Sequence, residues 1–167
     1  GPKPLITGQQ PLVMQEDESL ELKLTDLFVT DEDDPYPTGF TLTVYSGDDY
    51  TYQGTTVTPK LNITGLLKVD VTVNDGEQNS NKFGLKIYII PVNDAPEVTG
   101  IENTIIPYEP GSGPVSISER FEAKDVDSDY LMFAEIEIAD SSFNPLHDEL
   151  LFENTDDIRG IYDNSRG

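Results

Sequence analysis

Two long stretches of this chain alternate between apolar and polar residues, and this period of two constrains the fold most. The apolar residues are Leu67, Val69, Val71 and Val73 in the first stretch, and Phe83, Leu85, Ile87 and Ile89 in the second. Successive side chains of a strand point to opposite faces of a sheet, so each stretch builds one apolar row. Asn74-Asp75-Gly76 between them is a strong turn signal. The sequence therefore predicts two strands of a half-buried antiparallel sheet.

The same alternation recurs elsewhere in the chain. It places apolar rows at Leu20, Leu22 and Leu24, at Phe40, Leu42 and Val44, and at Met132, Ala134, Ile136 and Ile138. No stretch of ten or more residues has the spacing of an amphipathic helix. Strands with turns at short spacing and frequent Pro and Gly are typical of a β-sandwich. We therefore expect an all-β fold.

The second half of the chain repeats the opening of the first. Residues 10–13 correspond to 95–98, and residues 27–33 correspond to 120–127. This repeat predicts two tandem modules, at 1–94 and 95–167. The second stops early, because no long alternating strand follows Phe152, and we expect it to be incomplete. The alternative is that the second unit has a different, smaller fold. Gly1-Pro2 is typical of a protease-cleavage scar, which predicts an excised piece of a longer protein.

The charge of the chain excludes several kinds of partner. It has 32 acidic and 10 basic residues, a formal net charge of −22. Such a field repels nucleic acid and anionic membrane surfaces and attracts divalent cations. The chain has no cysteine, which excludes disulfides and thiolate chemistry. No apolar run approaches the roughly 20 residues that span a bilayer, so we expect no membrane insertion.

The segment between the two predicted modules has the features of a cation site, with acidic clusters upstream and downstream of it. Pro91-Val92-Asn93-Asp94-Ala95-Pro96 has oxygen ligands between two prolines, with acidic clusters at 16–18 and 125–129. Calcium takes six to eight oxygens from carboxylates, carbonyls and water. The prolines restrict the linker, so an ion that orders it costs less entropy. This layout predicts a calcium-stiffened joint between two β modules.

The order of these motifs resembles the tandem cadherin-like (Ig-like) repeats of large bacterial surface and secreted proteins. The motifs are Phe28-Val29-Thr30-Asp31-Glu32-Asp33, Val73-Asn74-Asp75-Gly76, Val92-Asn93-Asp94-Ala95-Pro96 and Asp125-Val126-Asp127-Ser128. The resemblance implies two Greek-key β-sandwiches with Ca²⁺ between consecutive modules. Its ligands here would be the Asn93 carbonyl and the carboxylates of Asp94, Asp125, Asp127 and Glu16.

The chain departs from the family pattern at two linker positions. Cadherins carry an aspartate where Pro91 stands and an asparagine where Ala95 stands, and their mid-module Asp-Arg-Glu motif has no clear counterpart here. We therefore expect fewer ions or weaker binding.

A second acidic cluster, Asp31, Asp33 and Asp75, is predicted at the opposite end of the first module. In the family it would share an ion with the preceding linker, where this chain has Gly8-Gln9 in place of the Asn-Asp pair. We therefore expect this site to be weak or absent. The alternative is that Asp31 to Pro35 is an ordinary acidic turn and Asp75-Gly76 a hairpin turn without metal.

These observations favour a non-catalytic structural or adhesion module of an extracellular, cell-surface or secreted protein. Its partners would be neighbouring modules of the same polypeptide, and a homophilic or glycan partner. The alternative is a carbohydrate-binding accessory module of a secreted polysaccharide-degrading enzyme, with sugars stacked on Tyr45, Tyr50 and Tyr52. A two-carboxylate glycosidase is disfavoured, because the repeats leave little room for a deep cleft. His147 alone supports neither a zinc site nor a nucleophile–base pair.

Overall fold

The computed structural model describes residues 1–139, 141 and 143–163, and its internal contacts divide the chain into two compact units. The first is Gly1–Asn93 and the second is Asp94–Gly167. Regular structure in the described residues is almost entirely β-strand, which confirms the predicted all-β class. None of these residues belongs to a helix that is long and apolar enough to cross a bilayer.

The first unit has nine strands and one short 3₁₀ turn, all within described residues. The strands are β1 (Leu5–Gln9), β2 (Val13–Gln15), β3 (Leu20–Glu21), β4 (Leu27–Thr30), β5 (Thr41–Val44), β6 (Tyr50–Gln53), β7 (Thr56–Pro59), β8 (Gly65–Asn74) and β9 (Phe83–Ile90). The 3₁₀ turn, Leu24–Asp26, ends the row predicted from Leu20. Leu24 therefore lies outside the strand that the alternation indicated.

The strands of the first unit form three sheets. One has the order β2-β9-β8-β5, the second β3-β7-β6, and the third pairs β1 with β4. The two predicted long strands, β8 and β9, are antiparallel neighbours in register from Gly65↔Ile89 to Val71↔Phe83. Strand β2 runs parallel to β9, and β5 is antiparallel to β8. The predicted turn at Asn74-Asp75-Gly76 follows β8.

The core of the first unit is apolar and draws on all three sheets. Its fully buried centre comprises Val69, Val71 and Val73 of β8 and Leu85, Ile87 and Ile89 of β9. The other sheets add Ile6, Leu27 and Val57. Neighbouring side chains of β8 and β9, such as Lys68 and Tyr88, are exposed. The alternation therefore correctly predicted the apolar face of both strands, although Thr72 of the polar row of β8 is also buried.

Two side-chain amides connect β1 to β9 and to the loop before it. The Asn81 Oδ1 accepts the Ile6 N–H at 2.8 Å, and the Asn81 Nδ2 donates to the Ile6 carbonyl at 3.2 Å. At the other end of β1, Gln9 Nε2 donates to the Lys86 carbonyl and Gln9 Oε1 accepts the Lys86 N–H, each at 2.7 Å. These amides provide hydrogen-bond partners for backbone N–H and carbonyl groups that do not take part in the β1–β4 pairing.

Tyr36 holds the loop between β4 and β5 against the core. Its hydroxyl donates to the Leu24 carbonyl, and its ring packs edge-on against Phe40 with centroids 5.0 Å apart. Burial, with a smaller contribution from the Asp26 charge, raises the pKa of Tyr36 from 10.0 to about 12. The folded protein therefore favours the protonated phenol more strongly than the unfolded chain does.

We predict that Tyr36 makes the fold sensitive to alkali. Because the folded pKa is raised, its contribution to stability is complete below pH 10 and is lost as pH rises towards about 12. Tyr36→Phe should lower the free energy of unfolding by about 0.5–1.5 kcal/mol near neutral pH, through the lost hydrogen bond. Urea unfolding should then show a smaller alkaline loss for Tyr36→Phe than for the wild type.

The control for this prediction is Tyr52→Phe, because the Tyr52 side chain is exposed on β6. It should keep the neutral-pH stability of the wild type. An equal alkaline loss of stability in the wild type and Tyr36→Phe would contradict the prediction.

The second unit has little regular structure among its described residues. Strand β10 (Glu97–Thr99) pairs antiparallel with β11 (Glu122–Lys124), with Val98 opposite Ala123. The strand predicted over 132–138 is wrong, because the described residues there form no strand and Met132 is 97% exposed. Alternation sets which face a strand would bury, but it does not supply the hydrogen-bonded neighbour that a strand needs.

Candidate metal centre

Three aspartates form the same turn directly after a strand. Asp31 follows β4, Asp75 follows β8 and Asp125 follows β11. In each, Oδ1 accepts the backbone N–H groups two and three residues further on: Asp33 and Asp34 at 2.9 and 3.0 Å, Glu77 and Gln78 at 2.7 and 2.6 Å, and Asp127 and Ser128 at 2.8 and 3.0 Å. Aspartate favours such turns because its short side chain reaches its own backbone. The turn therefore holds each carboxylate in one orientation at a strand end.

Two of these turns converge in the first unit. Asp31, Asp34 and Asp75 each offer one carboxylate oxygen, and these three oxygens lie within 4.8 Å of one another. The Asp31 Oδ2 is buried and has no hydrogen-bond partner in the described part of the chain. Like charges this close repel, and a buried carboxylate oxygen without a donor is costly. A cation bound among the three would remove both penalties.

The chemistry of these donors fits calcium. Carboxylate oxygens are hard ligands that Ca²⁺ and Mg²⁺ accept, whereas the chain has no cysteine thiolate for a softer metal. Three carboxylates supply three or more of the six to eight oxygens that calcium takes, with backbone carbonyls and water for the rest. Asp31, Asp34 and Asp75 are therefore residues that could hold a metal ion in the first unit.

The turn at Asp75 also keeps its carboxylate ionised. The N–H of Gln78, and secondly that of Glu77, lower the pKa of Asp75 by donating to the charged form. A lowered pKa means that the ionised form persists to more acidic pH than in the unfolded chain. Asp75 therefore keeps the charge that a cation requires.

The predicted set of Asp31, Asp33 and Asp75 agrees with the observed cluster at two positions of three. The Asp33 carboxylate lies 3.8 Å from the terminal amine of Gly1, which is also 3.6 Å from the Glu77 carboxylate. Asp34 takes the third place beside Asp31 and Asp75. The aspartate turn could not have indicated Asp34, because the Asp31 Oδ1 accepts the backbone N–H groups of both Asp33 and Asp34.

In the second unit, hydrogen bonds connect the predicted ligand Asp94 to the turn that contains the predicted ligands Asp125 and Asp127. Asp94 donates its backbone N–H to the Asp127 Oδ2 at 2.5 Å, and Asp127 donates its own to the Asp125 Oδ1. Asn93, the last residue of the first unit, is exposed. The structure therefore brings three of the predicted linker aspartates together, and their role as calcium ligands stays a prediction.

Glu16 is the one buried acid among the predicted ligands, with 4% of its surface exposed. It directly follows β2, and its side-chain carboxylate accepts the Val92 N–H. Its own N–H donates to the Ile90 carbonyl at 3.0 Å. Glu16 therefore holds the segment that leaves β9, and its assignment as a calcium ligand stays a prediction.

The three tyrosines considered for sugar stacking do not present a common surface. Tyr50 is only 5% exposed, and its hydroxyl donates to the Tyr45 carbonyl at 2.5 Å. Lys82 Nζ lies 4.3 Å from the centroid of the Tyr45 ring, as in a cation–π contact. Of the three, Tyr52 alone is exposed. A row of free aromatic faces, which the carbohydrate alternative needs, is therefore missing at these residues.

Comparisons with other proteins add no assignment. No protein-family model matches the chain, and a search of curated proteins finds no match.

Proposed function

We propose that this chain is a non-catalytic structural module of an extracellular protein, built from cadherin-like β-sandwich units that bind calcium at their acidic turns. The observation that carries the proposal is the convergence of Asp31, Asp34 and Asp75 within 4.8 Å. The buried Asp31 Oδ2 without a hydrogen-bond partner supports it. A second ion, at Asp94, Asp125 and Asp127, would stiffen the joint where the two units adjoin in sequence.

The distribution of acids supports a structural role rather than catalysis. Three aspartates that follow strands are held by the same backbone hydrogen bonds, so they are anchored parts of turns. A catalytic carboxylate pair instead requires one acid to keep its proton near neutral pH. The hydrogen bonds to Asp75 act in the opposite direction, because they lower its pKa. Asp75 is therefore suited to binding a cation and lacks the raised pKa of a catalytic acid.

Calorimetric titration of the chain with calcium tests this proposal. We predict saturable binding that Asp31→Asn combined with Asp75→Asn reduces, because asparagine keeps the turn acceptor but removes two charged ligands. Asp125→Asn with Asp127→Asn should abolish binding of the second calcium ion and leave the first site intact. The matched control is Asp48→Asn with Asp49→Asn, which removes two charges from an exposed turn outside both clusters.

The control separates specific sites from the general attraction of a chain with net charge −22. If all three double variants weaken calcium binding equally, calcium is attracted by the net charge and not bound at specific sites, and the proposal is wrong. An absence of saturable binding at millimolar calcium would equally contradict it, and the acidic turns would then serve only to end strands.

A further inference from the structure

One turn contains a dipeptide that is chemically labile. Asp75-Gly76 is the single Asp-Gly pair in the sequence. When the backbone nitrogen of Gly76 attacks the Asp75 side-chain carbonyl carbon, a C–N bond forms and water leaves, which closes a succinimide ring. Water then opens the ring on either side, giving aspartate or isoaspartate. Glycine favours the attack because it has no Cβ to hinder the approach, and no reagent besides water is consumed.

Both reacting groups of this dipeptide are engaged in hydrogen bonds to other residues. The Gly76 N–H donates to the Asn74 Oδ1 at 2.7 Å. The Asp75 Oδ1 accepts two N–H groups further along the turn, at 2.7 and 2.6 Å. Asn74 is itself anchored, because its Nδ2 donates to the Asn79 Oδ1 at 2.9 Å. To react, Gly76 must leave Asn74 and the Asp75 carboxyl must turn away from its donors.

We infer that Asp75-Gly76 is a latent site of isoaspartate modification, and that Asn74 is the positioning residue that keeps it unmodified in the folded protein. The other two aspartate turns have Glu32 and Val126 in place of the glycine, so the hazard is specific to the turn after β8. Isoaspartate would add a methylene to the main chain and move the free carboxylate. The turn that now holds the Asp75 Oδ1 could not survive that change.

The test is to age the folded chain at physiological temperature and neutral pH, with a chelator present so that no metal contributes. Peptide mapping by mass spectrometry measures isoaspartate at position 75. Asn74→Ala removes the acceptor for the Gly76 N–H and should raise the rate about five-fold, the equivalent of one net hydrogen bond. Asn74→Asp keeps an acceptor oxygen and should age as the wild type does. Asn79→Ala, which removes only the anchor of Asn74, is the matched control and should change the rate less.

Two results would overturn the inference. One is a folded Asn74→Ala chain, by circular dichroism, that forms isoaspartate at the wild-type rate. The other needs no variant: hydrogen exchange on the wild type should show a protected Gly76 amide, and exchange at the rate of an unprotected amide would mean that Asn74 does not hold it. Calcium binding does not enter either measurement, so failure here is distinguishable from failure of the proposed function.

Discussion

Leu67→Ala should lower the free energy of unfolding by about 2–5 kcal/mol, the usual cost of truncating a leucine in a packed core. Leu67 lies on β8 opposite Ile87 of β9 and is only 3% exposed. The truncated side chain loses its transfer free energy and leaves a cavity that the stiff, hydrogen-bonded neighbours of a long hairpin cannot fill. Urea unfolding followed by tyrosine fluorescence measures the effect, because Tyr50 is buried in the same core.

The adjacent residue provides a matched control, because Leu66 is 71% exposed on the same strand. Leu66→Ala is the same chemical change on the opposite face, and it should alter the free energy of unfolding by no more than about 0.5 kcal/mol. The difference in the free energy of unfolding between the two variants thus measures how much more the buried face of β8 contributes to stability than its exposed face. Equal losses in both would mean that the face assignment of β8 is wrong.

Calcium should stabilise the chain by about 2.7 kcal/mol when its free concentration is 100 times the dissociation constant, if it binds the folded state alone. The chemical reason is that the ion neutralises three carboxylate oxygens within 4.8 Å. Thermal and urea unfolding of the wild type, with calcium and with chelator, measure this shift. Magnesium should give a smaller one, because it demands a nearly ideal octahedron of ligands at shorter distances.

Asp31→Asn combined with Asp75→Asn should reduce the stabilisation by calcium, and in chelator it should not lower the free energy of unfolding. Without an ion, the wild type retains the repulsion among its three carboxylates, whereas the variant does not. The asparagine Oδ1 still accepts the backbone N–H groups that aspartate accepts. The variant should therefore be at least as stable as the wild type in chelator, and the exposed pair Asp48→Asn with Asp49→Asn should leave the calcium shift intact. A variant that keeps the full shift would exclude this cluster as the site.

Strands β8 and β9 could be predicted because they are long and their apolar residues alternate regularly. Over β8 and β9 a shift of one residue would bury Lys68 or Tyr88 in place of leucine and isoleucine, so the pattern admits one face assignment. The other rows were less secure. Leu24 entered a 3₁₀ turn, and the row from Met132 to Ile138 formed no strand although it is as long as those of β8 and β9. A strand also needs a hydrogen-bonded neighbour, which alternation does not supply.

The candidate metal centre was only partly predictable. Asp31 and Asp75 were identified because acids in turns are common calcium ligands, but the third member is Asp34 and not Asp33. The turn on Asp31 accepts the N–H groups of both Asp33 and Asp34, so the local sequence does not decide which of the two carboxylates faces the cluster. The tyrosines show the same limit, because the burial of Tyr50 follows from the packing of β6 and not from its neighbours in sequence.

The sequence by itself determined the all-β class, the buried faces of the long strands and the places where acidic turns end them, since each depends on residues close together in the chain. Only the tertiary structure decided which acids meet. Asp31 ends a strand paired with β1, whereas Asp75 ends one paired with β5 and β9, in a different sheet. Their approach depends on how the sheets pack around a common core, and side-chain periodicity carries no information about that distance.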